Sequence, residues 1–230
     1  MLPAEPPTTI AREAGPRGEV AVRVRRGPSG PVHELIVAGV FAMDDAETSS
    51  EVALAEMALA QCARPQRVLI GGLGLGHTAL AVLRDARVRE VTAVEIEPAL
   101  IGWARAGLVP ALAAVGADPR VRLVEGDVGA ILGREGTAYD VVLLDVDNGP
   151  SFLVHERNHQ LYGEPALRAT LARVAPGGVL VIWAAQREPA LLALLGEVAG
   201  PDRVSEVVLP IERDGRAFDY ALYVVTTPVT

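Results

Sequence analysis

Short apolar runs alternate with amphipathic stretches from residue 67 to the end of the chain. The apolar runs predict strands at 67–71, 90–95, 121–125, 139–145 and 179–185. The amphipathic stretches predict helices near 77–86, 98–114, 128–134, 164–174 and 188–198. Strands and helices in strict alternation predict a parallel sheet with right-handed crossovers. Two further runs at 204–210 and 218–226 flank a turn, so we expect a C-terminal antiparallel hairpin that makes the sheet mixed.

The first sixty residues follow a different pattern. Residues 1–18 are rich in proline, glycine and charge, which predicts disorder. Residues 19–26 alternate apolar and charged positions, and a second strand at 33–41 follows a Gly-Pro turn, so a β-hairpin is expected. A helix that ends near Cys62 comes next. The predicted units are a disordered segment at 1–18, a hairpin and helix at 19–62, and an α/β domain at 63–230.

A glycine-rich turn follows the first strand of the α/β region. Gly71, Gly72, Gly74 and Gly76 lie between that strand and the next helix, where glycine lets the backbone approach a ligand closely. The dinucleotide fingerprint G-x-G-x-x-G fails because His77 stands at its third glycine. The tighter form G-x-G-x-G is typical of S-adenosylmethionine (SAM) sites. These four glycines are therefore candidate cofactor-binding residues.

Three acids follow three successive predicted strands. Glu95 ends the second strand, where a carboxylate can accept hydrogen bonds from two ribose hydroxyls. Asp127 follows the third strand and is a candidate to bind an adenine amino group, with helix capping as the alternative. Asp145 ends the most apolar strand. All three belong at the carboxyl edge of the sheet, where open α/β sheets bind ligands. Glu97 is either a second contact to the ligand or a charge at a helix N-terminus, and we favour the charge.

Several motifs together resemble one known family. They are GGLGLG at 71–76, VEIEP at 94–98, DPRV at 118–121, GD at 126–127, YDVVLLD at 139–145 and GP at 149–150. This set is similar to the spermidine synthase family over roughly residues 66–185. The resemblance implies a class I SAM-dependent methyltransferase fold, Rossmann-like, with a small N-terminal β-hairpin extension. It also implies a possible homodimer.

The resemblance also implies a catalytic role for Asp145. The matching acid of the family begins a D-S-S-D-P motif, and it orients and deprotonates the attacking amine. In this chain Asn148 replaces the second acid of that motif, and Asp147 is the candidate to compensate. We therefore predict Asp145 and Asp147 as catalytic residues.

A long predicted loop at 151–163 lies at the same edge of the sheet. Loops of this length at a ligand edge often form lids or binding loops, so we expect the acceptor beneath it. Asn148, His155, His159 and Tyr162 are the candidate substrate-binding residues. Trp183, at the end of the fifth strand, either lines the site or packs in the core, and the pattern favours the core.

Two departures from the family bear on the donor. The family's glycine turn reads G-G-G-D-G-G, with an acid that meets the cationic tail of decarboxylated SAM, and Gly74 stands at that position here. The family's polyamine-binding residues are also missing around 42–56. We therefore expect a SAM-dependent transferase that moves a methyl group to a small molecule. The alternatives are aminopropyl or 3-amino-3-carboxypropyl transfer, a non-catalytic nucleoside-binding module and, least favoured, an NAD-dependent oxidoreductase.

The amino-acid composition limits the kinds of binding partner that we expect. The net charge of −8 disfavours a nucleic-acid substrate, whose phosphates require a basic surface. The single cysteine cannot form an intramolecular disulfide, and no Cys/His cluster has metal-ligand spacing, so we expect no metal. No apolar run approaches transmembrane length, so we expect no membrane partner and a cytoplasmic location.

Overall fold

The computed structural model describes residues 6–146, 160–213 and 216–229, which fold into two sheets and the helices around them. The smaller sheet is antiparallel, in the order β1-β2-β3-β4. Its strands are β1 (Thr8–Gly15), β2 (Gly18–Gly27), β3 (Gly30–Val37) and β4 (Val40–Asp44).

The N-terminal region is more ordered than the sequence pattern predicts. Disorder over 1–18 is wrong for Thr8–Gly15, because this segment pairs with β2 from Thr8↔Val24 to Gly15↔Gly18. The predicted strand at 33–41 is broken into β3 and β4 by a turn at Ala38 and Gly39, whose φ angles are +51° and +79°. The hairpin prediction therefore holds for the pairing of β2 with β3 and misses the strand on either side of them.

The larger sheet has the predicted mixed architecture. Its order is β10-β11-β9-β8-β5-β6-β7, with β10 and β11 antiparallel to their neighbours and the other pairs parallel. Its strands are β5 (Arg67–Gly71), β6 (Glu90–Glu95), β7 (Val121–Glu125), β8 (Tyr139–Leu144), β9 (Val174–Ala184), β10 (Val204–Arg213) and β11 (Arg216–Thr226). The central strands are buried on both faces, as Val68, Leu69 and Ile70 of β5 show with no exposed surface.

The described helices follow the predicted order with one difference. They are α1 (Ser49–Gln61), α2 (His77–Leu83), α3 (Pro98–Ala106), α4 (Pro110–Ala117), α5 (Val128–Leu132), α6 (Glu164–Ala172) and α7 (Pro189–Ala199). The single helix predicted at 98–114 is wrong. Gly107 ends α3 in the left-handed conformation at φ +71°, and Pro110 begins α4.

Among the described residues, no single helix is long and apolar enough to cross a membrane. The pair α3 and α4, bent by 85° at the break between them, reaches that length and composition only when the two are taken together.

The two sheets share one hydrophobic core. Val20, Val22, Leu35 and Val37 of the small sheet belong to the same buried cluster as Val68 of β5. Helix α1, which the sequence pattern grouped with the hairpin, also contributes to this cluster and contacts α2 and β9. A second cluster fills the opposite face of the large sheet, beneath α5, α6 and α7. The small sheet is therefore fixed against one edge of the α/β core.

Candidate functional site

A cavity of about 820 Å³ lies between the small sheet and the carboxyl edge of the large sheet. Residues after β5, β6, β7 and β8 form its floor, and residues from the small sheet form its opposite wall. The floor includes Gly72, Gly74, Glu95, Asp127 and Asp145. The opposite wall includes Arg17, Leu35, Val37, Phe41 and Met43. The predicted convergence of acids from three strands on one edge is thus observed.

The four glycines of the turn have two different roles. Gly72 and Gly74 line the cavity with φ angles of +90° and +51°, which favour glycine. A Cβ on Gly72 would lie 2.0 Å from the carbonyl oxygen of Asp145, so this position also requires close backbone contact. Gly71 instead packs against Val128, and Gly76 begins α2 where it faces α4. Gly72 and Gly74 are thus the glycines placed to face a ligand.

Met43 of β4 covers the glycine turn. Its sulfur accepts a hydrogen bond from the backbone N–H of Leu75 at 3.3 Å. A Cβ on Gly74 would lie 2.7 Å from the same sulfur, so Met43 occupies the space into which a side chain at position 74 would extend. Sequence patterns around the turn do not indicate this contact, because Met43 and Leu75 are 32 residues apart.

Glu95 is held rigidly at the end of β6. Its side chain is buried, with one oxygen accepting from the Leu73 N–H at 2.8 Å and the other from the Glu97 N–H at 2.9 Å. Burial raises the pKa of the Glu95 carboxyl, and the two backbone donors oppose that effect. Two carboxylate oxygens offer about four lone-pair sites, so both retain capacity to accept from a ligand.

Glu97 stands at the N-terminus of α3, where the sequence favours a charge. It occupies the N-cap position but makes no side-chain capping bond, and its carboxylate has no exposed surface. One of its oxygens accepts from Nε of Arg17 at 2.7 Å. Sequence reasoning missed Arg17 because the two partners are 80 residues apart and nothing local to either one signals the pair.

Asp127 takes the capping role and also faces the cavity. It is the N-cap of α5, and its Oδ1 accepts from the Ala130 N–H at 3.1 Å. The side chain is exposed on the cavity wall next to Gly126. Capping uses one carboxylate oxygen, so the geometry is compatible with both roles considered for this residue.

Asp145 is a cavity acid whose protonation is changed by burial. It follows β8, and its Oδ2 accepts from the hydroxyl of Thr78 at 2.7 Å. Burial raises the pKa of Asp145 from 3.8 to about 6, the Thr78 hydrogen bond opposes that rise, and the negative charge of Glu95 adds to it. Thr78 is buried in the first turn of α2 and was not predicted from the sequence. A carboxyl that titrates near neutral pH inside a cavity suits proton transfer.

Aromatic side chains also line the cavity. Trp183 and Tyr220 meet edge to face, with ring centroids 5.0 Å apart. Trp183 both lines the cavity and packs against the core, so the two interpretations offered for it apply together. Glu51 of α1 lines the cavity as well and accepts from the Ser50 hydroxyl at 2.7 Å.

The structure describes only some of the residues predicted to bind the acceptor substrate or to act in catalysis. Asp147, Asn148, His155 and His159 lie outside the described residues. Tyr162 is described, and the structure places it away from the predicted site. It is buried in the core cluster beneath α5 and α6 and is not among the described residues that line the cavity. Within the described ranges, no group of three or more His, Cys, Asp or Glu residues could hold a metal ion.

The glycine turn and the strand-end acids lie at the carboxyl edge of the mixed sheet, where α/β domains bind ligands, and comparison with known proteins defines the family. The fold matches the structure titled "Crystal Structure of Spermidine Synthase in Complex with Transition State Analogue AdoDATO". The TM-score is 0.77 at 16% identity, covering 97% of this chain and 75% of that one. Spermidine synthase from Thermotoga maritima gives a TM-score of 0.72 at 16% identity, covering 97% and 73% of the two chains. These likenesses confirm the predicted fold.

Residues 47–192 match the family described as the Spermine/spermidine synthase domain, and the chain belongs to that family. The resemblance seen in the sequence motifs is therefore confirmed. Polyamine aminopropyltransferase 2 of Pseudomonas aeruginosa is 35% identical over 122 residues, which are 51% of this chain and 33% of the relative. Putrescine N-methyltransferase 3 of Nicotiana tabacum is 31% identical over 130 residues, 55% of this chain and 32% of the relative. The matched region thus spans about a third of these relatives.

Proposed function

We propose that this protein transfers a methyl group from SAM to the nitrogen of a small amine. The observation that carries the proposal is the placement of Glu95 and Asp145 on the floor of one cavity, on either side of a glycine turn. One carboxylate is anchored at a strand end suited to a nucleoside. The other has a pKa of about 6, which suits an acid–base role.

The chain's residues fit a SAM-type donor. Gly72 and Gly74 line the cavity at positive φ, so the backbone of the turn is available to a ligand there. Glu95 has the lone pairs to accept from two ribose hydroxyls, and the second oxygen of Asp127 can accept from an adenine amino group. When bound, the donor supplies an electrophilic carbon next to a positively charged sulfur. The protein is then left to position the acceptor, accept its proton and exclude water.

Asp145 supplies the proton chemistry. With a pKa of about 6 it is mostly ionised at pH 7, yet it is a stronger base than an ordinary aspartate. As a carboxylate it attracts a protonated amine, orients the nitrogen and takes up the proton that leaves. The new carbon–nitrogen bond forms as the carbon–sulfur bond breaks, and the bonding electrons stay on sulfur. Thr78 holds the carboxylate in place through its hydroxyl.

The glycine turn supports SAM over decarboxylated SAM. Gly74 carries no charge, and the Met43 thioether lies directly over it. The resembled family places an acid at this position to meet a lone cation. A donor tail that keeps its carboxylate would be repelled by such an acid, and it meets an uncharged surface here.

The names of the relatives support an amine acceptor and leave two transfers to compare. One relative is named as a putrescine N-methyltransferase, which favours methyl transfer, and another as a polyamine aminopropyltransferase. Aminopropyl transfer is therefore the second candidate. Transfer of a 3-amino-3-carboxypropyl group would use the same SAM donor but break a different carbon–sulfur bond.

The by-product separates these reactions. Purified protein is incubated with putrescine and either SAM or decarboxylated SAM, and the products are identified by mass spectrometry. S-adenosylhomocysteine and a methylated amine establish methyl transfer. Formation of 5′-methylthioadenosine from SAM indicates 3-amino-3-carboxypropyl transfer. If 5′-methylthioadenosine forms only when decarboxylated SAM is the donor, the reaction is aminopropyl transfer. Tight donor binding without turnover across a panel of amines would favour a non-catalytic nucleoside-binding module.

A further inference from the structure

A buried ion pair joins the small sheet to the end of β6. Arg17 lies in the turn between β1 and β2, and its side chain is 14% exposed, whereas the Glu97 carboxylate is 0% exposed. Nε of Arg17 donates to Oε1 of Glu97 at 2.7 Å. Removing two charges from water is costly, so a pair at this depth calls for an explanation beyond surface electrostatics.

The surroundings fix the orientation of Arg17. Gly15 of β1 lies against the second oxygen of Glu97, which has no hydrogen-bond partner among the described residues. A second polar contact holds the same strand to α3, because Glu13 accepts from the indole N–H of Trp103 at 3.0 Å. Two anchors therefore hold β1 against α3, and the guanidinium is held by its Nε.

The terminal nitrogens of Arg17 remain available. Within the described part of the chain, the bond to Glu97 is its one hydrogen bond, and it uses only Nε. The side chain nevertheless lines the 820 Å³ cavity together with Glu95 and Ile96. A guanidinium carries five N–H donors, so four are left to face a ligand or water.

Arg17 lies at the nucleoside end of the cavity. Its charge lowers the pKa of Glu95, against the larger effect of burial, which indicates that the two groups interact. Its bonded partner is two residues beyond Glu95, at the start of α3. Its contacts are thus at the end of β6, whereas Met43 covers the glycine turn.

We propose that Arg17 is a donor-binding residue, whose terminal N–H groups donate to the ribose oxygens that Glu95 accepts from. This inference rests on the proposed function, since it assumes a nucleoside donor at Glu95. A ribose hydroxyl can donate one hydrogen bond and accept others. A carboxylate on one side accepts from it and a guanidinium on the other side donates to it, so both kinds of bond are made. The small sheet would then contribute directly to donor recognition, and Glu97 would hold Arg17 in position.

The main variant of the test avoids an unpaired buried charge. Arg17→Ala alone strands the Glu97 carboxylate and risks unfolding, so the main variant is the double change Arg17→Ala with Glu97→Gln. Glu97→Gln alone keeps the guanidinium and an amide oxygen to accept from it. Arg12→Ala is the matched arginine control, because Arg12 lies on β1 in an exposed pair with Glu19 at 3.5 Å. Thermal melts confirm that each variant is folded.

Calorimetric titration compares 5′-methylthioadenosine with S-adenosylhomocysteine, which share the nucleoside but differ in the tail. The double variant is expected to weaken both ligands by the same factor, about ten- to a hundredfold and more than Glu97→Gln alone, while Arg12→Ala binds within about threefold of wild type. In turnover, KM for the donor should rise and KM for the acceptor should stay the same.

Unchanged affinity of the folded double variant for both ligands would overturn the inference. Weaker binding of S-adenosylhomocysteine alone would also overturn it, because Arg17 would then contact the tail of the donor and not the ribose. If the wild-type protein binds neither ligand, the proposed function itself fails and the role of Arg17 fails with it. If the wild type binds both and the double variant binds equally well, only the role of Arg17 fails.

Discussion

At Asp145, burial and a hydrogen bond act on one carboxyl in opposite directions, and the balance places its pKa at about 6. Asp145→Asn removes the basic carboxylate and keeps the size and shape of the side chain. We expect kcat to fall by about 10²- to 10⁴-fold with donor affinity nearly unchanged. In wild type, log kcat should rise with pH up to about 6 and then level off. A variant that retains most of its turnover would contradict the assignment of Asp145.

Thr78 tunes that carboxyl. Its hydroxyl stabilises the ionised form of Asp145, so Thr78→Val should raise the pKa of Asp145 further and move the acid limb of the pH–rate profile toward neutral pH. At pH 7 we expect turnover to fall about two- to tenfold. Thr170→Val is the matched control, since Thr170 is also a buried helical threonine and its hydroxyl has no partner among the described residues. A profile that does not move would exclude this role for Thr78.

The same carboxyl links stability to pH. Because the folded state raises the pKa of Asp145, its ionisation opposes folding. The cost is absent below pH 3.8, grows as pH rises to about 6 and is constant above that. Asp145→Asn should therefore stabilise the unliganded protein by about 1–3 kcal/mol at pH 8 and by much less at pH 4. Urea unfolding at the two pH values measures the difference, and an equal effect at both would show that ionisation is not the cause.

At the scale of the element, the turn after β5 requires glycine because of its backbone conformation and its close contacts. Gly72→Ala places a Cβ 2.0 Å from the Asp145 carbonyl oxygen at a φ of +90°, so we expect a loss of at least about 2 kcal/mol in unfolding free energy together with loss of donor binding. Gly102→Ala in α3 is the control, because a Cβ there meets nothing within 4 Å. It should be neutral or stabilise the protein by up to about 1 kcal/mol. Chemical denaturation of both variants measures the change in unfolding free energy. A loss at Gly72 alone shows that glycine is required at that position, whereas a loss at both shows that the protein tolerates alanine poorly in general.

Element prediction succeeded where local patterns determine structure. The strands at 67–71, 90–95 and 121–125 appear with the predicted bounds, because each is a short apolar run set between a turn and a helix. The break between α3 and α4 was missed, although Gly107 and Pro110 are local signals for it. Strand β1 was missed for a different reason. Its residues lack an apolar pattern, and its pairing with β2 supplies the structure.

At the scale of the whole molecule, the cavity exists because two sheets share one core. Ligand binding should therefore stabilise the entire fold. S-adenosylhomocysteine at about a hundred times its Kd should add about 2.7 kcal/mol to the unfolding free energy, or roughly 5–10 °C in Tm. NADH at the same concentration is the control for the oxidoreductase alternative, and no shift is expected. Stabilisation by NADH alone would contradict the SAM-type donor.

The sequence by itself determined the α/β architecture, the glycine turn and the strand-end acids Glu95, Asp127 and Asp145. These features depend on local periodicity and on the rule that parallel strands end at one edge, so they can be predicted without distant contacts. Only the tertiary structure placed Thr78 on Asp145, Met43 over Gly74 and Arg17 on Glu97. These partners are 31 to 80 residues apart in the sequence, from Met43 to Gly74 and from Arg17 to Glu97. Such contacts form only when packing brings distant segments together, and no local pattern encodes them.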